Sequence, residues 1–211
     1  MRRIGAAVAS TVAVLAAGTA PASAAVVRYH FTPEETEQEI LEFSECVIRQ
    51  QPDLARQVLA LPLSGPEQNA LIVQHFSGDH PCLPRGRRIQ LTGALTLVGA
   101  LATVYDNSLY ARYDLAAEVE KAASITPRNG GEVYGLCLVR KAPEAAVLAV
   151  RSKPGSKGED QAMTALEPAI ETCAGPAAGM AAAMSRTQVR RLLALTLYRY
   201  AVQAEARVPA P

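Results

Sequence analysis

Three side chains lie close enough in the sequence to act together: His75, Asp79 and His80. On a continuous helix His75 and Asp79 would share a face, and imidazole with carboxylate can hold zinc or move a proton near neutral pH. Gly78 and Pro81 interrupt any such helix, and zinc normally takes three or four ligands. The cluster therefore reads first as a solvated loop with one partly packed histidine. Its use by a metal-dependent or hydrolytic enzyme is the alternative. His30 is the remaining histidine, and none of the three sits in a Gly-x-Ser-x-Gly or cysteine-protease context. Phosphate-cradling glycine loops and zinc-protease motifs are also missing from the sequence. The carboxylates between Glu34 and Glu45 fit a solvated helix face. The expectation is a non-catalytic protein with no catalytic, cofactor or metal residue.

Two arginine groups are the other chemical resource: Arg85, Arg87 and Arg88, and Arg186, Arg190 and Arg191. Guanidinium groups grip carboxylate or phosphate in a fork geometry. Each group falls near the start of an expected helix, where cations oppose the dipole. Arg186, Arg190 and Arg191 are thus candidate anion-binding residues. Either the Glu-rich first helix of the same chain or an external anion of an envelope lipid, glycan or protein would answer them. Pairing within the chain is the expected case.

The elements that position these residues are organised by cysteine spacing. Cys46 and Cys82 are 36 residues apart, as are Cys137 and Cys173. A shift of 91 superimposes both cysteines, Arg49 on Arg140, Pro52 on Pro143 and Ala55 on Ala146. Such self-similarity is the mark of a duplicated module. Four cysteines allow three pairings, and a module copied whole carries its own bridge, which favours Cys46–Cys82 and Cys137–Cys173. Closing a loop of this size restricts the unfolded chain by roughly 4 kcal/mol in the chain-entropy picture.

Met1-Arg2-Arg3, the uncharged run Ile4 to Ala17 and the small residues Ala22-Ser23-Ala24 read as a secretory signal over residues 1–24. That pattern implies a periplasmic or secreted protein, the compartment in which disulfides persist. Losing Arg2 and Arg3 takes the formal net charge from +1 to −1, so charge gives no sign of a nucleic-acid partner. The order expected is module 1 over 25–106, a linker with a short helix over 107–131, module 2 over 132–206 and a tail over 207–211. With no Trp and three Phe, the core must be built from thin aliphatic helix contacts.

Helix starts are written at Thr32-Pro33-Glu34-Glu35, Pro52, Ser64-Gly65-Pro66-Glu67, Asp114, Pro143 and Ser185-Arg186-Thr187-Gln188. Ile89 to Tyr105 carries no charge, near the lower length for a membrane span. Thr103-Val104-Tyr105 matches Thr196-Leu197-Tyr198 in an arginine-bearing helix, so the run is expected to be a buried helix from Thr92 to about Asp106. No transmembrane span is expected in the mature chain. Further on, Ala162, Ala165, Leu166, Ala169, Ile170 and Cys173 form a helical stripe. Val189, Leu192, Leu193, Thr196 and Tyr200 form the apolar face of the last helix, with the arginines set off it.

Cys137 to Arg140, Pro143, Cys173 and Ser185 to Tyr198 together resemble uncharacterised exported bacterial proteins with duplicated Cys-helix modules. The resemblance implies an all-α fold of two pseudo-repeated modules, each with an internal disulfide, packed through their last helices as one domain. It implies no activity. The first copy departs from the pattern at Thr92 and Gly93, where the Ser-Arg start is lost.

Overall fold

A computed structural model describes residues 33–76, 79–84, 91, 93–109, 112–122, 125–175 and 184–207, all within the unit Phe31–Pro211. The leader, Thr32, Arg85, Arg87, Arg88, Thr92 and the last residues of the tail lie outside the described residues. The described chain is all-α: α1 (Pro33–Gln50), α2 (Pro52–Ala60), α3 (Pro66–Phe76), α4 (Ala94–Leu109), α5 (Leu115–Lys121), α6 (Gly130–Lys141), α7 (Pro143–Arg151), α8 (Lys157–Cys173) and α9 (Arg186–Arg207).

Proline and small polar side chains set the helix boundaries. Pro52 and Pro143 occupy the first turns of α2 and α7, where a missing N–H costs nothing. Asp114, Asn129 and Ser156 cap α5, α6 and α8 by accepting backbone N–H bonds. Ser185 and Gln188 exchange reciprocal bonds at the start of α9, a capping box. At α3 the box is shifted by one residue from the Ser64–Glu67 pairing expected. Gln68, not Glu67, accepts from the Ser64 N–H at 2.8 Å, and its amide reaches the Val58 carbonyl at 2.9 Å. Gly65 carries the first helical carbonyl there, and Ser64 sits at φ 58°.

Two helices begin earlier than the breaker residues suggest. Asn129 and Glu132 draw Gly130 and Gly131 into the first turn of α6. Ser156 and Glu159 do the same for Lys157 and Gly158 in α8. A satisfied N-cap outweighs the roughly 1 kcal/mol helix penalty of a glycine.

The core sits along α4 and α9, the most extensively packed helix pair, with α1 and α2 against α4 and α6 and α7 against α9. Leu97, Val98, Leu101, Leu192, Leu193, Leu195 and Leu197 are fully or almost fully buried. Close approach of the two helices depends on a residue without a side chain. A Cβ on Gly99 would lie 2.3 Å from Arg191 Cβ. Likewise a Cβ on Gly135 would lie 2.5 Å from Thr196 Oγ1, where α6 meets α9. Among the described residues no helix is long and apolar enough to cross a membrane.

The bridges are Cys46–Cys82 and Cys137–Cys173. The first ties α1 to the loop after α3, and the second ties α6 to the end of α8.

Candidate functional site

α9 differs from the one-faced helix expected from its apolar stripe. The stripe residues Val189, Leu192, Leu193, Thr196 and Tyr200 are buried, but so are Arg190, Arg191, Ala194, Leu195 and Leu197. The helix is enclosed because α4, α5, α6 and α7 all pack on it. Two guanidinium groups are thereby taken out of water, which is tolerable only with ionised partners.

Those partners converge from several elements. Glu37 on α1 places Oε1 3.3 Å from Arg190 Nη1, while its Oε2 accepts from Arg191 Nη2. Glu159 on α8 lies 3.6 Å from Arg190 Nε, and its other oxygen accepts from the Gly155 N–H at 2.7 Å. Arg190 also donates to the carbonyls of Ala149, Val150 and Ser152 at 3.0–3.2 Å. Carbonyls at the end of a helix such as α7 lack an intrahelical partner. Arg191 donates to Thr96 Oγ1 on α4 at 3.2 Å. Glu37, Arg190 and Arg191 are buried. The anion held by this arginine pair is the chain's own Glu37.

Arg186 behaves differently. It is exposed and pairs with Asp160 at 2.9 Å. It lines a cleft of about 120 Å³ together with Pro154, Gly155 and Thr187 and with Glu37, Glu159 and Arg190 of the buried cluster.

A second ion cluster uses residues that the sequence alone does not single out. Glu132 at the start of α6 receives both terminal nitrogens of Arg199 at 2.8 Å, the Arg128 N–H at 2.7 Å and the Leu63 N–H at 3.1 Å. Arg128 in turn donates to the carbonyls of Ala60 and Leu61 at 2.6 and 3.1 Å, closing the end of α2 as Arg190 closes the end of α7. Asn129 Nδ2 adds a bond to the Leu63 carbonyl at 2.9 Å. The signal that locates Glu132 and Glu159 is their place three residues after Asn129 and Ser156, the acidic position of a capping box.

His75, Asp79 and His80 do not converge. His75 lies on the exposed side of α3 and Asp79 is exposed. His80 is buried between Phe43 and Phe76, with ring centroids 5.0 and 5.8 Å away. Its Nδ1 accepts from the Cys82 N–H at 3.1 Å, which places the proton of the neutral ring on Nε2. Burial lowers its pKa below the usual histidine value, favouring that neutral form. The imidazole is thus a packing piece beside the first disulfide. Among the described residues no group of three His, Cys, Asp or Glu side chains could hold a metal ion.

A buried carboxylate lies outside both clusters. Asp106 on α4 is fully buried, and neither carboxylate oxygen has a hydrogen-bond partner. Burial pushes its pKa well above the ordinary carboxylate range. The chain matches no family model, no curated protein and no solved structure.

Proposed function

We propose that the protein is an exported, non-catalytic helical scaffold of the cell envelope, periplasmic or secreted, acting as a binding or structural component. Its body would be two copies of one Cys-helix module, 25–106 and 132–206, joined by the linker 107–131. The observation that carries the reading is the engagement of Glu37 by Arg190 and Arg191. These ionised groups connect α1 with α9 and are occupied in doing so. The pairing spends the charge of both arginines within the chain, on Glu37. The two disulfides support an oxidising compartment. A lipid, glycan or protein of the envelope is the class of partner proposed.

Affinity capture from envelope extracts, with the oxidised chain as bait and the reduced chain as control, tests this role. Enrichment of one envelope component by the oxidised chain supports it. Stoichiometric zinc in the purified protein, with a hydrolytic activity lost on combined His75→Ala and His80→Ala substitution, would overturn it.

A further inference from the structure

The two bridges join residues at the same separation, 36, but they hold different kinds of structure. Cys173 is buried and is the last residue of α8, a helix whose Ala162, Met163, Leu166 and Ala169 are also buried. α8 packs on both α6 and α7, so its position beside Cys137 does not rest on the bridge alone. Cys46 stands on α1, but its partner Cys82 belongs to the non-helical segment 79–84. Cys46 and Cys82 are both half-buried, and Asp79, Pro81 and Pro84 are exposed.

The segment has little of its own to keep it in place. The Cys82 N–H donates to His80 Nδ1 at 3.1 Å and the Leu83 N–H to the His80 carbonyl at 2.9 Å. Both bonds close inside the segment, so they shape the turn without fastening it to a helix. Beside the bridge, the His80 ring between Phe43 and Phe76 and the partly buried Leu83 seat it on the core. A bridge resists reduction when the fold keeps its two thiols together afterwards, because their high effective concentration favours closing again. α6 and α8 do this for Cys137 and Cys173. A short turn that can leave α1 does it poorly for Cys46 and Cys82, and half-burial leaves that bridge the easier one to approach.

We infer that Cys46–Cys82 is a thiol-exchange site, opened by an external dithiol while Cys137–Cys173 stays closed, and that its reduction frees segment 79–84 and uncovers Phe43 and Phe76. A thiolate of the dithiol bonds to one sulfur of the bridge, the S–S bond breaks, and the other sulfur leaves with the electron pair and takes up a proton. The second thiol of the reagent then displaces the remaining protein sulfur, so two protein thiols form as the dithiol is oxidised to a disulfide. The inference stands or falls independently of the envelope role.

Graded treatment of the native full chain with dithiothreitol, followed by alkylation and peptide mass spectrometry, tests it. Cys46 and Cys82 should reach half-reduction at a ratio of dithiol to its disulfide about 10-fold or more below that needed for Cys137 and Cys173, equivalent to about 30 mV. In the singly reduced chain the Cys82 and Leu83 amides should exchange hydrogen about 10-fold faster than in the oxidised chain, while α4 and α9 keep their protection. Combined Cys46→Ser and Cys82→Ser substitution should give the same exchange pattern without reductant. Simultaneous reduction of both bridges, earlier reduction of Cys137–Cys173, unchanged exchange at Cys82 and Leu83 after reduction, or a double variant that loses its helical fold would each overturn the assignment.

Discussion

Tyr105 of α4 and Tyr198 of α9 face each other with ring centroids 5.6 Å apart and planes inclined by 47°. They stand 93 residues apart, the shift that aligns Thr103-Val104-Tyr105 with Thr196-Leu197-Tyr198. Gly99 meets Arg191 earlier along the same pair of helices, so α4 and α9 run parallel, with corresponding residues side by side. Thr103 and Thr196 even make the same bond, to the carbonyls of Gly99 and Leu192 at 2.9 and 2.8 Å.

The tyrosine pair should titrate late. Burial, reinforced by Tyr105, pushes the Tyr198 pKa up to about 12, and burial also raises Tyr105. An unfolded chain releases these protons near pH 10, so the folded state holds more protons between about pH 10 and 12. Stability therefore falls as pH rises through that window. Ultraviolet difference titration should show a phenolate fraction that appears only near pH 12 or with unfolding. In a double-mutant cycle, Tyr105→Leu and Tyr198→Leu should couple by about 0.5–1.5 kcal/mol; additive effects would remove the pair from the stabilising contacts.

Asp106 should depress stability at neutral pH. Its folded pKa is raised above 3.8 by burial. Within the window between 3.8 and the folded value the native state keeps a proton that the unfolded state has lost, so this residue's contribution falls as pH rises. Asp106→Asn should flatten that part of the pH profile, and Asp106→Leu should raise stability at pH 7 by about 1–3 kcal/mol. Chemical denaturation from pH 4 to 8 measures both. A loss of stability in both variants at pH 7 would mean that the carboxylate has a partner.

The glycine contacts should be sensitive to a single methyl group. Gly99→Ala brings a Cβ onto Arg191, and Gly135→Ala brings one onto Thr196. Each should cost about 1–3 kcal/mol, the usual penalty of overpacking, despite the better helix propensity of alanine. Thermal denaturation beside Gly175→Ala, where an added Cβ meets nothing within 4 Å, provides the comparison.

Much of the fold is legible in the chain because its signals are local. Proline at the first helical position, Ser185 with Gln188, and the cysteine spacing each act over a few residues or one repeat, and the helices and bridges stand where those features do. α9 is less legible because periodicity reports one apolar face. It cannot show that Glu37, 153 residues away, makes burial of Arg190 tolerable. Glu132 escapes notice for a related reason. Its capping role is visible nearby in the sequence, but Arg199 and Leu63 reach it only in three dimensions. The packing of His80 between Phe43 and Phe76 is likewise a contact that spacing along the chain does not show.

Glu37 is the anion that Arg190 and Arg191 hold, and urea denaturation of Glu37→Gln beside Arg186→Gln measures how far the fold depends on it. Removing Glu37 leaves two buried guanidinium groups short of their carboxylate and should cost about 3–5 kcal/mol. Neutralising the exposed Arg186 should change stability by no more than about 1 kcal/mol. Equal, small effects in the two variants, or a Glu37→Gln protein as stable as the parent that newly retains inorganic phosphate, would contradict that dependence.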